Sequence, residues 1–261
     1  MFNFREYNST INLLISIGVL LTTHIAIADD ASEWQYAAEI YLWGTDISGT
    51  IPTGNNFEIP FDDVVNNLDM ALLGRVGARK DKLTLFTDII HLELSTDEKG
   101  SFNLLGVGPT VEGKLDIGLK SWILQPTAAY TVFETEKYSI DLLAGARYLW
   151  MEVDLGLRVT GSLASKKIGT TESEHNWDGI VGVRGKMALT DKWDAIAYAD
   201  GGTGDSDYTV QGIAGFNYKF DRWEGRFGYR YMKWEMDNKG LGRLVEDLTI
   251  DGPYAGALFK F

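Results

Sequence analysis

The sequence has no cysteine, only five prolines and three histidines among 261 residues, and beyond residue 30 no apolar run long enough to form a membrane helix. The lack of cysteine excludes disulfides and thiolate metal sites, and it is compatible with a chain that crosses an oxidising periplasm. Positive charge is also scarce. Lys and Arg number 24 against 37 Asp and Glu, a net charge of −13 that argues against nucleic acid or other phosphate-bearing partners. Helical periodicity is almost missing as well.

The first 28 residues differ from the rest. Arg5 precedes the apolar run Ile11 to Leu21, and Ala26-Ile27-Ala28 supplies the small-x-small pattern of a signal-peptidase site. Cleavage after Ala28 is expected, leaving a single domain over residues 29–261. A membrane anchor is the alternative, but the run is short for a span of about 20 residues.

After Asp29 the dominant pattern is alternation at period two, broken by clusters of Gly, Asp, Asn, Ser and Lys, which predicts strands. From Tyr208 to Phe220 every second residue is apolar, aromatic or small, while Thr209, Gln211, Asn217 and Lys219 fall on the other face. The same alternation runs through Trp34 to Leu42, Leu68 to Ala78, Tyr138 to Trp150, Trp177 to Leu189 and the segment after Trp223. Leu83 to Glu93 and Leu115 to Val132 alternate less cleanly, and proline's inability to donate to a ladder suggests a bulge near Gln125-Pro126. With Trp193 to Thr203 and Leu248 to Phe261 this makes about ten strands, eight and twelve remaining open, in an all-β, antiparallel up-and-down transmembrane barrel.

The connections are of two kinds. Arg79 to Lys82, Thr135 to Lys137, Thr190 to Lys192 and Asp221-Arg222 are tight turns. Between them lie longer links at about 51–67, 96–112, 157–175 and 237–247, and a shorter one at Gly204 to Asp207. Short periplasmic turns and long outer loops are the pattern of outer-membrane barrels.

A soluble carrier barrel also alternates but turns its apolar face inward. Three features favour the membrane form. Trp34, Tyr36, Tyr138, Tyr148, Trp150, Trp177, Trp193 and Trp223 stand near strand ends, where interfacial girdles form. Glu39, Arg75, Asp88, Asp141, Arg147, Arg184, Asp194, Lys219, Glu224, Arg226 and Arg230 share the polar face, where opposite charges can pair across a lumen. The chain ends in Pro253 to Phe261, with Tyr254, Phe259 and Phe261 in the last strand.

That last segment resembles the C-terminal insertion signal of Gram-negative outer-membrane proteins. The resemblance implies contact with the outer-membrane insertion machinery during biogenesis, and with outer-membrane lipid and lipopolysaccharide afterwards. More narrowly, Tyr41 to Thr50 followed by Phe61 to Leu68 is similar to a group of uncharacterised outer-membrane proteins, which adds fold and location but no chemistry. A monomer without cofactor or nucleic acid is expected.

Candidate sites are few. His91 and His175 belong at the outer rim by up-down order, with Glu93, Asp97, Glu172 and Glu174 nearby in sequence, an arrangement open to rim hydrolysis of lipid or peptide. No Gly-x-Ser-x-Gly elbow accompanies them, and two histidines on separate strands are a poor metal site. Asp200, Asp205 and Asp207 stand around the glycines of one turn, where a calcium loop is weighed against a plain hairpin and the hairpin preferred. Residues 61–67 are read by default as a surface loop, with an amphipathic turn over the mouth as the alternative. The lumen charges line a narrow pore or form a plug, and about ten strands favour the plug. The leading expectation is a non-enzymatic outer-membrane barrel with a structural, surface-binding or narrow-pore role, a rim hydrolase and a periplasmic carrier being the rivals.

Overall fold

The computed structural model describes residues 33–52, 54–102, 111–160, 165–236 and 240–261. The expected signal segment, residues 1–28, lies outside these described residues. The elements run β1 (Gln35–Trp43), β2 (Asp46–Thr50), β3 (Asn56–Ile59), α1 (Phe61–Asn66), β4 (Leu68–Lys80), β5 (Leu83–Phe102), β6 (Val111–Glu134), β7 (Tyr138–Thr160), β8 (Ser165–Ala188), β9 (Trp193–Gly204), β10 (Tyr208–Lys219), β11 (Trp223–Glu235) and β12 (Asp247–Lys260), with a 3-10 turn at Gly240–Arg243 before β12.

Ten strands, β1 and β4 to β12, pair with their sequence neighbours, and β1 closes the ring on β12 through the register Ala37↔Lys260 to Trp43↔Tyr254. All pairs are antiparallel, so up to the level of Trp43 the fold is a closed up-and-down barrel. Above Trp43 the ring opens. The hairpin β2–β3 takes over the outer half of β12, with Asp46↔Asp251 to Thr50↔Asp247. Gly252 sits at this exchange with φ of +156°, and a Cβ there would lie 1.8 Å from the Gly44 carbonyl oxygen, so only glycine fits. The turn after β4 is also specific: Asp81 has φ of +52°, a conformation that Asp tolerates better than most residues.

The alternation sorts the wall into two faces. Leu42 (76% exposed), Val181 (68%), Ile40, Val76, Leu142 and Phe216 point outward, while Glu39, Asp88, Asp141, Arg147 and Arg230 are buried inside. An apolar outer wall with charge inside is the reverse of a soluble carrier and cannot stand in water. The ten steps from Tyr138 to Tyr148 rise about 25 Å at the usual strand spacing and tilt, the height of an outer-membrane apolar band.

Aromatic rows mark both ends. On the periplasmic side Phe220 stacks on Trp223 with centroids 4.0 Å apart, and Trp193 meets Tyr218 edge-on at 4.9 Å. On the outer side the register carries one outward row across five strands, Leu72–His91–Trp122–Trp150–His175.

Three expectations from sequence need correction. The links at about 96–112 and 157–175 are mostly strand, because β5 continues to Phe102, β6 begins at Val111, β7 reaches Thr160 and β8 starts at Ser165. These ladders leave the bilayer, and with water on both faces the apolar alternation that marks a strand is no longer required. The bulge is not at Gln125-Pro126, where β5–β6 and β6–β7 keep constant register; it lies between Thr131 and Phe133 opposite β7. Finally, residues 61–66 form a helix rather than a plain loop.

Candidate functional site

The interior has three levels. At the outer end an apolar cluster fills the barrel. Trp43, Ile90, Ile123, Leu149, Met151, Met232, Trp234 and Leu248 come from six strands, Ile47 from β2, Val64 from α1, and Leu241 and Val245 from the segment that folds in between β11 and β12. Trp234, Met232 and Leu241 are 0% exposed. Leu241 is held by its backbone N–H donating to Asn176 Oδ1 at 3.1 Å, and Phe61 N donates to Asp46 Oδ1 at 2.8 Å to seat α1.

Beneath the cluster a hydrogen-bonded network crosses the lumen. Its centre is Arg147, whose Nη2 donates to Asp200 Oδ1 at 2.6 Å, with both side chains 0% exposed. Arg147 also donates to Gln125 Oε1 at 3.0 and 3.1 Å and to Thr209 Oγ1 at 2.7 Å, and its guanidinium lies 5.7 Å from the Trp234 ring centroid. Asp200 Oδ2 accepts from Tyr198 Oη at 2.5 Å and from Gln211 Nε2 at 3.3 Å. From Gln211 the chain of contacts passes to Arg230 at 2.7 Å, then to Asp88 at 2.9 Å and to Tyr41 Oη at 3.0 Å. Arg75 joins Asp88 at 3.0 Å to Glu39 at 3.5 Å, and Arg226 meets the same Glu39 at 3.0 Å. In a low-dielectric lumen charge is tolerated when paired this fully, and removing one partner strands the other.

The third level faces the periplasm. A cavity of about 570 Å³ lies below the network, bounded by Tyr41, Tyr198 and Arg230 at its inner end and by Gln35, Lys260 and Phe261 at the rim. Its walls carry Arg184 paired to Asp141 at 2.7 Å, and Glu224 ion-paired to Lys260 and, at 3.6 Å, to Arg226. Asp194 also lines it and holds Lys219 at 2.8 Å.

All eleven lumen charges read from the sequence face inward in this arrangement, each in at least one ion pair. Of the neutral members, Tyr41, Tyr198, Thr209 and Gln211 lie in phase with a charged residue on the inward face of their own strand, whereas the inward face of β6 carries Gln125 with no charge to mark it.

His91 and His175 are not brought together. Both point outward, with the two strands β6 and β7 between them. His91 stacks on Trp122 at 4.2 Å with Nδ1 2.9 Å from the Ser121 carbonyl, and His175 lies 6.1 Å from Tyr148. Glu93 pairs with Lys120 at 3.5 Å, and Lys120 also reaches Glu152 at 3.8 Å, a polar row just past the aromatic one. The Glu93 carboxylate raises the Lys120 pKa above its ordinary value. The Asp97 side chain lies outside the described residues.

The three turn aspartates separate. Asp200 is in the central network, Asp205 Oδ2 accepts from Trp177 N at 2.8 Å, and Asp207 bonds through its backbone N–H to Glu235 O at 2.9 Å. Among the described residues no group of three His, Asp or Glu is placed to hold a metal ion.

In the last strand Tyr254 faces the cavity, whereas Phe259 and Phe261 are exposed on the outer wall near Trp223, with reciprocal backbone bonds of 3.0 Å joining Phe261 to Tyr36.

No protein-family model matches the chain and no curated protein is similar to it in sequence. Among solved structures it is similar to the outer membrane protease OmpT from Escherichia coli, with a TM-score of 0.50 and 8% identity over 90% of this chain and 99% of that one. It is similar to the translocator domain of autotransporter NalP from Neisseria meningitidis, with a TM-score of 0.44 and 14% identity over 89% and 90%. The toluene transporter TbuX from Ralstonia pickettii gives 0.34 and 11% over 88% and 89%. Of these three, only the first reaches a TM-score that speaks for a shared fold, and at 8% identity it speaks for fold alone. The chain has the architecture of the Gram-negative outer-membrane β-barrels.

Proposed function

We propose that this chain is an integral protein of the Gram-negative outer membrane, non-enzymatic and non-conducting, whose plugged barrel anchors a β-structured extension at the cell surface. The observation that carries the reading is the stack inside the lumen: the Arg147–Asp200 network, fully buried, beneath an apolar cluster that includes Trp234, Met232 and Leu241. A path for water or ions would have to break both. In this account residues 1–28 are a cleaved export signal, Phe259 and Phe261 belong to the insertion signal, and the barrel works as a monomer in contact with lipid and lipopolysaccharide.

The extension supports a surface-binding role. Beyond Trp150, β7 continues ten residues to Thr160, about another 25 Å at strand spacing and tilt, paired on both sides. The likeness to a protease barrel raises the hydrolase alternative. Against it stand the outward direction of both histidines and the engagement of Glu93 with Lys120 instead of either imidazole.

The test is a liposome-swelling assay with the purified barrel. Vesicles holding it should swell in isosmotic arabinose no faster than protein-free vesicles. Swelling that scales with the amount of folded barrel would overturn the non-conducting reading.

A further inference from the structure

The cavity on the periplasmic side is closed at its inner end and open at its rim, a shape suited to holding a ligand rather than passing one. Its charge runs against that of the protein. In a chain of net charge −13, seven of the side chains lining the cavity are Arg or Lys and four are Asp or Glu. Cations remain in excess after adding Asp88, which pairs with Arg75 and Arg230 behind the wall, and the terminal carboxylate of Phe261 at the rim.

A second observation is independent of this count. The Nε–H groups of Arg75, Arg226 and Arg230 and the Oδ1 of Asn217 are buried without a hydrogen-bond partner among the described residues, and all four side chains line this one cavity. Arg230 and Asn217 are almost fully buried, at 2% and 4% exposed. Buried polar groups are normally satisfied, so these three guanidiniums keep donor capacity in the cavity wall that the network's ion pairs do not use. Lys186, also on the wall, has no ion pair among the described residues.

The remaining lining is apolar. Phe86 lies between two cations, with the guanidiniums of Arg75 and Arg184 at 5.4 and 5.6 Å from its ring centroid, and Ile196, Ile213 and Leu258 complete that side. An anionic head and an apolar body would both be accommodated.

We propose that this cavity is a periplasm-facing binding site for a small organic anion, a carboxylate carrying an aromatic-sized apolar body. The inference rests on the plugged-barrel reading, since a through-pore would have no closed inner end.

The test is calorimetry on the barrel in lipid nanodiscs, with 2-naphthoate as the probe and empty discs as the blank. Naphthoate should bind saturably at one site per barrel, and 2-naphthylmethylammonium, of similar shape and opposite charge, should bind at least tenfold more weakly. Arg184→Gln with Lys186→Gln should weaken naphthoate at least tenfold. Ala37→Trp, which places an indole in the cavity without changing charge, should abolish binding and carries the test if the charge variant fails to refold. Absence of saturable heat, equal binding of the cation, or unchanged affinity in a folded variant would each overturn the site. Ion conductance by the same preparation would instead remove the plugged-barrel reading, so the two failures are told apart.

Discussion

Asp200→Ala removes the carboxylate that neutralises Arg147. Arg147 would keep Gln125 and Thr209 as neutral acceptors but would remain a fully buried cation without a counter-charge. Breaking a buried pair from one side costs about 3–5 kcal/mol. Tyr198 and Gln211 lose an acceptor in the same lesion, which places the effect toward the upper end. The double variant Arg147→Met, Asp200→Leu removes both charges and, by the same reasoning, should recover roughly 1–4 kcal/mol relative to the single one. The assay is urea unfolding in lipid vesicles, followed by tryptophan fluorescence and by the heat-dependent shift in gel mobility. Trp234, over the Arg147 guanidinium, reports locally. An Asp200→Ala barrel within about 0.5 kcal/mol of the native one, well below the scale of a broken buried pair, would refute the network's role. A double variant no more stable than the single would refute it too.

Leu241→Asp puts a carboxylate at a 0% exposed position in the apolar cluster and should loosen the inward-folded segment. Step conductance should then appear in planar bilayers where the native barrel gives none. Gly252→Ala forces a Cβ to 1.8 Å from the Gly44 carbonyl and should cost about 1–3 kcal/mol, read as a lower urea midpoint. His91→Ala removes the stack on Trp122 and should cost about 0.5–1.5 kcal/mol while leaving casein and phospholipid hydrolysis at the level of protein-free discs. A hydrolytic activity in the native barrel that disappears with this substitution would restore the rim-hydrolase alternative.

The ten wall strands were legible because a membrane barrel imposes strict alternation wherever one face meets lipid, and Tyr208 to Phe220 and Tyr138 to Trp150 show it plainly. Legibility ends where that constraint ends. Past Trp150 and His175 both faces of the ladder are wet, so β7 and β8 continue through sequence that reads as loop. Near the outer end both faces turn apolar, and Ile90, Ile123, Leu149 and Trp234 carry no periodic sign that they point inward to form a plug. In sequence Asp200 reads as part of a turn because of the glycines that follow it, although it stands in phase with Asp194 and Tyr198 on the inward face of β9. The cavity itself was out of reach, since its charge balance depends on which side chains from non-adjacent strands share one level of the lumen.

The central claim is that the lumen is blocked, and single-channel recording tests it most directly. Correct insertion would first be shown by heat-modifiable mobility of the same preparation. The account then predicts a silent planar bilayer over a range of voltages and salts. Reproducible conductance steps that change size or ion selectivity in an Arg226→Ala, Arg230→Ala variant would contradict it, because ions would then be passing the charges that the network is held to seal.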